Sequence, residues 1–250
     1  MLLSPPLPSV APAARAHGRR HGVTLLVWHD IVPSDKLVWF DTTVREFDAQ
    51  LARLARAGAV PISLEALYRY LAVGSPLPPP GAVVLCFDDN TQGIYDHAFP
   101  KLARHGWSFA VSAHTRYVGV KTGKAHCGWD ELRTMARGGA QIVSQTHTHP
   151  PDLRLLGDAA LAREMTVSRQ IMTREMGAPP QFLTYPSGKW DRRVALAGAS
   201  AGYRLGLTED PGMAEASPHQ MGLHRYSTHK RFGEAAEAVS RSSRGQAGRT

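Results

Sequence analysis

The chain has 250 residues, of which 43% are hydrophobic and 20% are charged, as is typical of a globular protein. This length suits one α/β barrel or two small domains. No apolar run approaches the roughly 18–20 residues of a membrane-spanning helix, so the sequence predicts no membrane span. The net charge of +8 would suit a nucleic acid or another anionic polymer. The basic residues are scattered along helical patterns, however, which favours a solvated surface and no nucleic-acid partner.

The two ends of the chain differ in composition from its middle. Residues 1–22 are rich in Pro, Ala and Arg and lack the basic and apolar regions of a signal peptide, so we predict a flexible leader there. Residues 240–250 carry Ser, Arg and Gly without apolar periodicity, which predicts a disordered tail. Strand and helix patterns alternate without interruption between these ends, and we therefore predict one domain over residues 23–239.

Short apolar runs alternate with helical patterns along this domain. A capping-box spacing from Thr43 to Glu46 predicts the start of the first helix of the domain, and Gly58 its end. The alternation favours a parallel sheet, and we predict a distorted β/α barrel of about seven strands. Predicted strands cover residues 23–28, 82–87, 108–113, 141–144, 181–184, 203–207 and 222–226. Further predicted helices cover residues 94–104, 129–137, 158–176 and 192–199.

Polar side chains follow several of the predicted strands. In a parallel barrel, functional groups gather at the carboxyl ends of the strands. The pair Asp88 and Asp89 follows an apolar strand, where two carboxylates are costly unless they bind something or face water; one of them could instead cap the next helix. His147 and His149 provide half of a metal site or belong to a surface turn. Strand ends of this kind are WHD at 28–30, FDDN at 87–90, SQTHTH at 144–149 and YPSG at 185–188.

Several of these segments resemble motifs of the polysaccharide deacetylases, carbohydrate esterase family four with the NodB-homology fold. CFDDN at 86–90 resembles Thr-Phe-Asp-Asp-Gly, and SQTHTHP at 144–150 resembles Ser-His-Thr-x-x-His-Pro. FLTYPSG at 182–188 is similar to a third motif, Phe-Ala-Tyr-Pro-x-Gly. VWHDI at 27–31 resembles the start of the permuted branch, which includes poly-β-1,6-N-acetylglucosamine deacetylases. The resemblance spans residues 23–228 and implies the barrel fold named above.

The resemblance also implies roles for individual residues. Asp88 would be the general base and His29 the general acid, while Asp89 and His149 would bind a divalent metal, with zinc expected and nickel or cobalt as alternatives. Backbone amides near Ser187 would hold the oxyanion. The remaining candidates for substrate contact, for which packing is an equally good explanation, are Tyr185, Trp190, His224 and Arg225.

The sequence departs from the family pattern at the second motif. Gln145 stands where the first histidine ligand is expected, and an amide oxygen binds zinc less well than imidazole does. If residues 145–149 form a helical turn, Gln145 and His149 share a face and Gln145 coordinates weakly or through water. If the segment is extended, His147 joins His149 and replaces the missing ligand. The spacing in the family favours the turn, and we therefore expect the metal at Asp89 and His149. The arginine that orients the base in many members is also missing, because Leu183 and Thr184 occupy that region.

These observations predict a metal-dependent hydrolase that removes N-acetyl groups from an N-acetylated sugar or polysaccharide. The first alternative is a degenerate family member that binds glycan without efficient turnover, because of Gln145. The second is a basic adaptor or nucleic-acid-binding protein in which the motifs are incidental. The resemblance implies a periplasmic or extracellular location, although the sequence shows no clear signal peptide.

Overall fold

A mostly parallel sheet organises the computed structural model, which describes residues 6–244. Seven strands follow one another across the sheet in the order β7-β6-β5-β4-β3-β1-β8, and β2 pairs with the start of β3. All of these pairings are parallel, and the sheet curls into a half-barrel with helices around it, which confirms the predicted fold class. The strands of this sheet are β1 Thr24–Trp28, β2 Val60–Pro61, β3 Ala82–Phe87, β4 Phe109–Ala113, β5 Ala140–Ser144, β6 Phe182–Thr184, β7 Leu205–Leu207 and β8 Tyr226–Ser227.

Eight α-helices accompany the strands within the described residues. Thr43 and Glu46 form the predicted capping box at the start of α2, with the Thr43 hydroxyl accepting from the Glu46 amide at 3.2 Å. No described helix is long and apolar enough to cross a membrane. The helices are α1 Pro12–His21, α2 Val44–Arg56, α3 Leu64–Val73, α4 Phe99–Arg104, α5 Trp129–Arg137, α6 Asp158–Met176, α7 Arg192–Ser200 and α8 Thr228–Arg244.

The central strands β1 and β3 are buried along their whole length, on both faces of the sheet. Successive side chains point to opposite faces, so Trp28 and Phe87 pack in one apolar cluster while Val27 and Cys86 pack in another. The adjacent ends of these two strands are therefore held firmly. His29 and Asp88, which directly follow these strand ends, therefore have defined positions.

Three predictions about local structure need correction. The leader predicted as flexible contains α1, where Ala14 is fully buried and its carbonyl accepts from the Tyr70 hydroxyl at 2.9 Å. The tail predicted as disordered is helical as far as Arg244, and residues 245–250 lie outside the described part of the chain. The strand predicted at 222–226 begins only at Tyr226, because residues 220–222 form a short 3-10 turn.

Candidate active site at the carboxyl edge of the sheet

Polar side chains from the ends of several strands meet in one cleft. Two cavities of about 300 Å³ and about 630 Å³ adjoin there and share His29, Phe40, Asp89 and His149. Parallel strands bring their carboxyl ends to the same edge of a sheet, so residues distant in sequence converge. The predicted site residues that line the smaller cavity are His29, Asp88, Asp89, Gln145, His149 and Ser187.

Asp88 is held from behind by a buried arginine. Its two carboxylate oxygens accept from the two terminal nitrogens of Arg225 at 2.9 and 2.8 Å, and Oδ1 also accepts from the Ser112 hydroxyl at 2.9 Å. Burial lowers the pKa of Arg225, but the Asp88 charge raises that pKa by more, so Arg225 stays protonated. The prediction that such an arginine is missing is therefore wrong, and of the two roles left open for Arg225 the contacts favour the structural one. The chain does have an arginine that orients Asp88, and fully buried Arg225 cannot contact a substrate.

His29 lies beside Asp88 and next to a carboxylate that the sequence analysis overlooked. Its Nε2 is 3.7 Å from Glu209, which follows β7. One potential metal-binding atom from each of His29, Asp88 and Glu209 lies within 4.8 Å of the other two. Because Arg225 already neutralises Asp88, this trio suits proton transfer better than metal binding. Within residues 6–244, His29 Nδ1 is buried and has no hydrogen-bond partner.

Asp89 points to a different set of partners from Asp88. Its left-handed backbone, with φ of 72°, breaks the alternation of the strand. Asp89 Oδ1 lies 3.5 Å from His149 Nε2 and accepts from the Gln145 side-chain amide at 2.9 Å. The Gln145 oxygen accepts from the Asp89 backbone N–H at 2.9 Å. This bond fixes the amide orientation, so Gln145 directs its NH₂ group, not its oxygen, toward Asp89 and His149.

The segment that carries Gln145 and His149 is neither a helical turn nor a strand. Thr146 and His149 have left-handed backbones, with φ of 67° and 53°. These two bends bring Gln145 Nε2 to 3.3 Å from His149 Nε2. His147 turns away, and its Nδ1 lies 2.9 Å from the Thr115 hydroxyl. Gln145 and His149 thus lie close together, as expected for a helical turn, but left-handed residues and not a helix bring them together.

His114 and His126 approach the same cleft from its other side, and the sequence analysis selected neither. His114 follows β4 and is 4% exposed, and burial is the main cause that lowers its pKa to about 4. Its ring centroid lies 5.3 Å from that of His149 and 4.8 Å from that of His126. His126 Nδ1 lies 2.9 Å from the Asp89 carbonyl oxygen. The two histidines therefore pack around the Asp89 loop.

The remaining predicted substrate contacts occupy different places. Ser187 is exposed at the edge of the smaller cavity, with a left-handed φ of 54°. Tyr185 is 1% exposed, and its hydroxyl donates to the Met221 carbonyl, so it is a packing residue and no sugar platform. Trp190 stacks on Tyr185 and borders a separate cavity. His224 lines neither cavity of the cleft.

The donor groups of Asp89 and His149 suit a shared metal ion. Their separation of 3.5 Å is close to the roughly 3.4 Å expected for two ligands that each lie ~2.1 Å from a tetrahedral ion. Burial raises the pKa of Asp89, but the imidazoles of His29, His149 and His114 lower it overall, which favours the carboxylate. Gln145, as oriented, offers amide hydrogens in place of a lone pair. The cleft therefore fits a metal at Asp89 and His149 but lacks a third ligand at position 145.

Comparison with known proteins agrees with this geometry. Residues 77–206 match the family model of the polysaccharide deacetylases, a range that covers half of the chain. The protein therefore belongs to the polysaccharide deacetylase family, as the motifs predicted. Bacillus subtilis YxkH, which bears this family's name, is 26% identical over 148 residues, or 59% of this chain and 52% of that protein. The chain thus matches about half the length of this curated relative.

Solved structures show the same fold. Streptococcus pyogenes deacetylase PplD, solved in complex with acetate, has a TM-score of 0.73 at 24% identity, covering 82% of this chain and 91% of that one. IcaB from Ammonifex degensii has a TM-score of 0.77 at 22% identity, covering 88% of this chain and 97% of that one. At these identities the likeness establishes the fold.

Proposed function

We propose that the protein is a metal-dependent hydrolase that removes N-acetyl groups from an N-acetylated glycan. Family membership supports deacetylation in general. One observation carries the finer proposal. Asp88, anchored by a buried arginine, and His29, with an unpartnered nitrogen, lie beside the Asp89–His149 pair in one cleft. Amide hydrolysis needs these three parts, a base, an acid and a site for electrophilic assistance.

Asp88 is the proposed general base. Its Oδ1 already accepts two hydrogen bonds, from Arg225 and Ser112, whereas Oδ2 accepts one, from Arg225. A carboxylate oxygen has two lone pairs, so Oδ2 keeps one direction free to take a proton from the attacking water. The two bonds from Arg225 fix the plane of the carboxylate and hence the direction of that lone pair.

His29 is the proposed general acid. An amine is a poor leaving group until it is protonated, and imidazole can donate a proton near neutral pH. Nδ1 is buried, so we assign Nε2, which lies 3.7 Å from Glu209, as the atom that gives its proton to the leaving nitrogen. Acid and base thus stand on the same side of the cleft, within 4.8 Å of each other.

Asp89 and His149 hold the metal in this proposal, with zinc expected and nickel or cobalt as alternatives. A divalent ion bound there supplies Lewis acidity toward the acetamide carbonyl and lowers the pKa of water toward about 7. The backbone N–H of Ser187, which lines the same cavity, would hold the oxyanion, since the next two N–H groups already donate to the Tyr185 and Pro186 carbonyls. Asp88 and His29 then move the protons.

An exposed indole marks where the glycan would run. Trp39 is 65% exposed at the edge of the smaller cavity, and the Lys230 ammonium lies 4.8 Å from its ring centroid. The loop that carries it is fixed by Asp41, which accepts from the N–H groups of Leu37 and Val38. Aromatic rings offer flat apolar faces with polar edges, so a sugar unit next to the reacting one can stack on Trp39.

Gln145 supports a second candidate function, glycan binding with little turnover. Its NH₂ group already bridges Asp89 and His149, where a third imidazole would strengthen metal binding. A protein that bound metal weakly would keep the cleft and lose the chemistry. Metal content and acetate release together separate this candidate from the active enzyme.

The decisive experiment measures acetate released from β-1,4- and β-1,6-linked N-acetylglucosamine oligomers, with Zn²⁺, Co²⁺ or Ni²⁺ supplied. We expect metal-dependent release by the wild type. His29→Gln should lower kcat on the order of 10²–10⁴-fold with little change in KM, because proton donation acts in the transition state. His105→Gln is the matched control, since His105 is exposed at the end of α4. No release from any oligomer with any metal would exclude the enzyme and leave the binding protein.

A further inference from the structure

We propose that His114 is the third protein ligand of the metal site, in place of the imidazole that position 145 lacks. The inference rests on the proposed metal dependence but concerns binding, so it can be tested without turnover. The three proposed ligands follow three neighbouring strands, since Asp89 follows β3, His114 follows β4 and His149 lies beyond β5. β3 pairs with β4 and β4 with β5, so the three loops are adjacent.

The positions of the two imidazole rings support a shared ion. Two histidines that bind one tetrahedral ion through bonds of ~2.0–2.1 Å have ring centroids about 5 Å apart. The centroids of His114 and His149 are 5.3 Å apart, and their planes meet at 71°. Rotation of the His114 ring about its Cβ–Cγ bond sets which of its atoms face Asp89 and His149. The backbone already places the ring at the right distance.

His114 also has an unused nitrogen in a buried place. Within residues 6–244 its Nδ1 has no hydrogen-bond partner, although the side chain is 4% exposed. A buried polar atom left without a partner costs free energy, and a metal ion bound to this nitrogen would offset that cost. His114 lines the larger cavity together with Asp89 and His149, which connects that nitrogen-bearing ring to the proposed ligands.

Other candidate ligands on this side of the cleft are already engaged. Both ring nitrogens of His126 lie within 2.9 Å of partners, the Asp89 carbonyl and the Thr122 hydroxyl. His147 Nδ1 lies 2.9 Å from the Thr115 hydroxyl, and His147 lines neither cavity of the cleft. Gln145 gives its oxygen to the Asp89 N–H. His114 is thus the imidazole on this side that can bind a metal without breaking a hydrogen bond within residues 6–244.

The test is titration of metal-stripped protein with Zn²⁺ by calorimetry and with Co²⁺ by visible absorption, where the ligand set determines the spectrum. His114→Gln should weaken Zn²⁺ binding by more than about 100-fold and should alter the Co²⁺ spectrum. Even loss of a residue that only hydrogen-bonds to a metal ligand lowers metal affinity about 10–100-fold. The matched control, His147→Gln, should bind Zn²⁺ within about tenfold of the wild type, whereas His126→Gln, which removes a contact to the Asp89 carbonyl, should weaken binding less than His114→Gln does. Circular dichroism of the stripped proteins verifies that each variant is folded.

A second variant guards against an indirect effect of His114→Gln. Gln145→His combined with His114→Gln restores an imidazole beside Asp89 and should recover Zn²⁺ affinity and the Co²⁺ spectrum. Wild-type affinity in His114→Gln, or an equal loss in His147→Gln, would overturn the assignment. Wild-type protein that binds Zn²⁺ tightly through His114 but releases no acetate would leave the ligand assignment intact and refute the proposed enzyme instead.

Discussion

Two carboxyl groups are buried at opposite ends of the sheet, and they are stabilised in different ways. Asp88 follows the carboxyl end of β3 and faces the cleft, whereas Glu215 lies at the amino end of β1, where both of its oxygens accept from the Val23 N–H at 3.1 Å. Each is less than 5% exposed. Asp88 has a guanidinium as its partner, but the hydrogen bonds of Glu215 come from neutral groups. Burial is the main cause that raises the pKa of Glu215 to about 7.

The comparison shows how an ion-paired buried carboxylate, the proposed general base, differs from one that is bonded only to neutral groups. A full opposite charge at hydrogen-bonding distance compensates for the loss of water around Asp88. Neutral donors compensate only partly, so Glu215 takes up a proton instead. The carboxylate in the cleft is therefore matched by an arginine, while the opposite end of the sheet contains a pH-sensitive contact. Mutation of each partner tests this difference.

Arg225→Met should have the largest effect, because it leaves the Asp88 charge buried without compensation. We expect a loss of about 3–5 kcal/mol in the free energy of unfolding, measured by urea denaturation. Arg231→Met is the matched control. Arg231 pairs with Glu234 on the surface, where an ion pair contributes less than about 1 kcal/mol. Equal losses in the two variants would show that Asp88 does not need its arginine.

Glu215 should make stability fall as pH rises. Its folded pKa of about 7 exceeds the ordinary value of 4.5, so folding favours the protonated form. The stabilisation is complete below pH 4.5 and is lost as pH rises through about 7, on the order of 3 kcal/mol in total. Burial lowers the pKa values of His114 and His229 to about 4, so these histidines act in the opposite direction. The Glu215 contribution is therefore measured as the difference between the wild type and Glu215→Gln in urea denaturation between pH 4.5 and 8. Stability of Glu215→Gln should rise more steeply with pH than that of the wild type, and Glu237→Gln, an exposed control, should follow the wild type. A wild-type slope in Glu215→Gln would refute the assignment.

Local signals in the sequence predicted many elements to within two residues. Residues 82–87, 129–137 and 158–176 have the predicted bounds of β3, α5 and α6, because apolar periodicity and capping residues are local properties. Helix α1 was not predicted, because contacts with residues distant in the chain stabilise it. The Arg15 guanidinium donates to the Glu215 and Ser217 carbonyls, about 200 residues away in the chain.

The candidate site could be predicted only in part. Asp88, Asp89 and His149 lie in sequence motifs. Arg225, in contrast, is 137 residues away from Asp88 in the chain, and no local sequence pattern predicts their contact. Glu209 and His114 could have been found. Each follows a short apolar strand, the same signal that selected Asp88, but neither belongs to a recognised motif. Sequence motifs thus identified the residues assigned to reaction chemistry, and the structure added those that hold or complete them.

Gln145→His should have the smallest effect on the metal-free protein, because Asp89 keeps its position and loses one hydrogen-bonding partner. The substitution removes the bonds from Gln145 to the Asp89 amide and carboxylate, which costs about 1 kcal/mol per net bond in the absence of metal. Imidazole suits zinc better than an amide, so we expect Zn²⁺ affinity to rise about tenfold, which adds about 1.4 kcal/mol at saturation.

The sign of the change should therefore depend on zinc. Thermal unfolding with EDTA should place Gln145→His below the wild type, and unfolding with excess Zn²⁺ should bring it level or above, since ligand binding to the folded state stabilises it by mass action. His147→Gln is the control. It should change the unfolding temperature by the same amount with EDTA and with Zn²⁺, because His147 Nδ1 contacts Thr115 outside the cleft. If His147→Gln loses its response to zinc while Gln145→His gains none, the metal is bound on the His147 side. The bridge from Gln145 to Asp89 would then be structural, and the metal site would lie outside the cleft that Asp88 and His29 share.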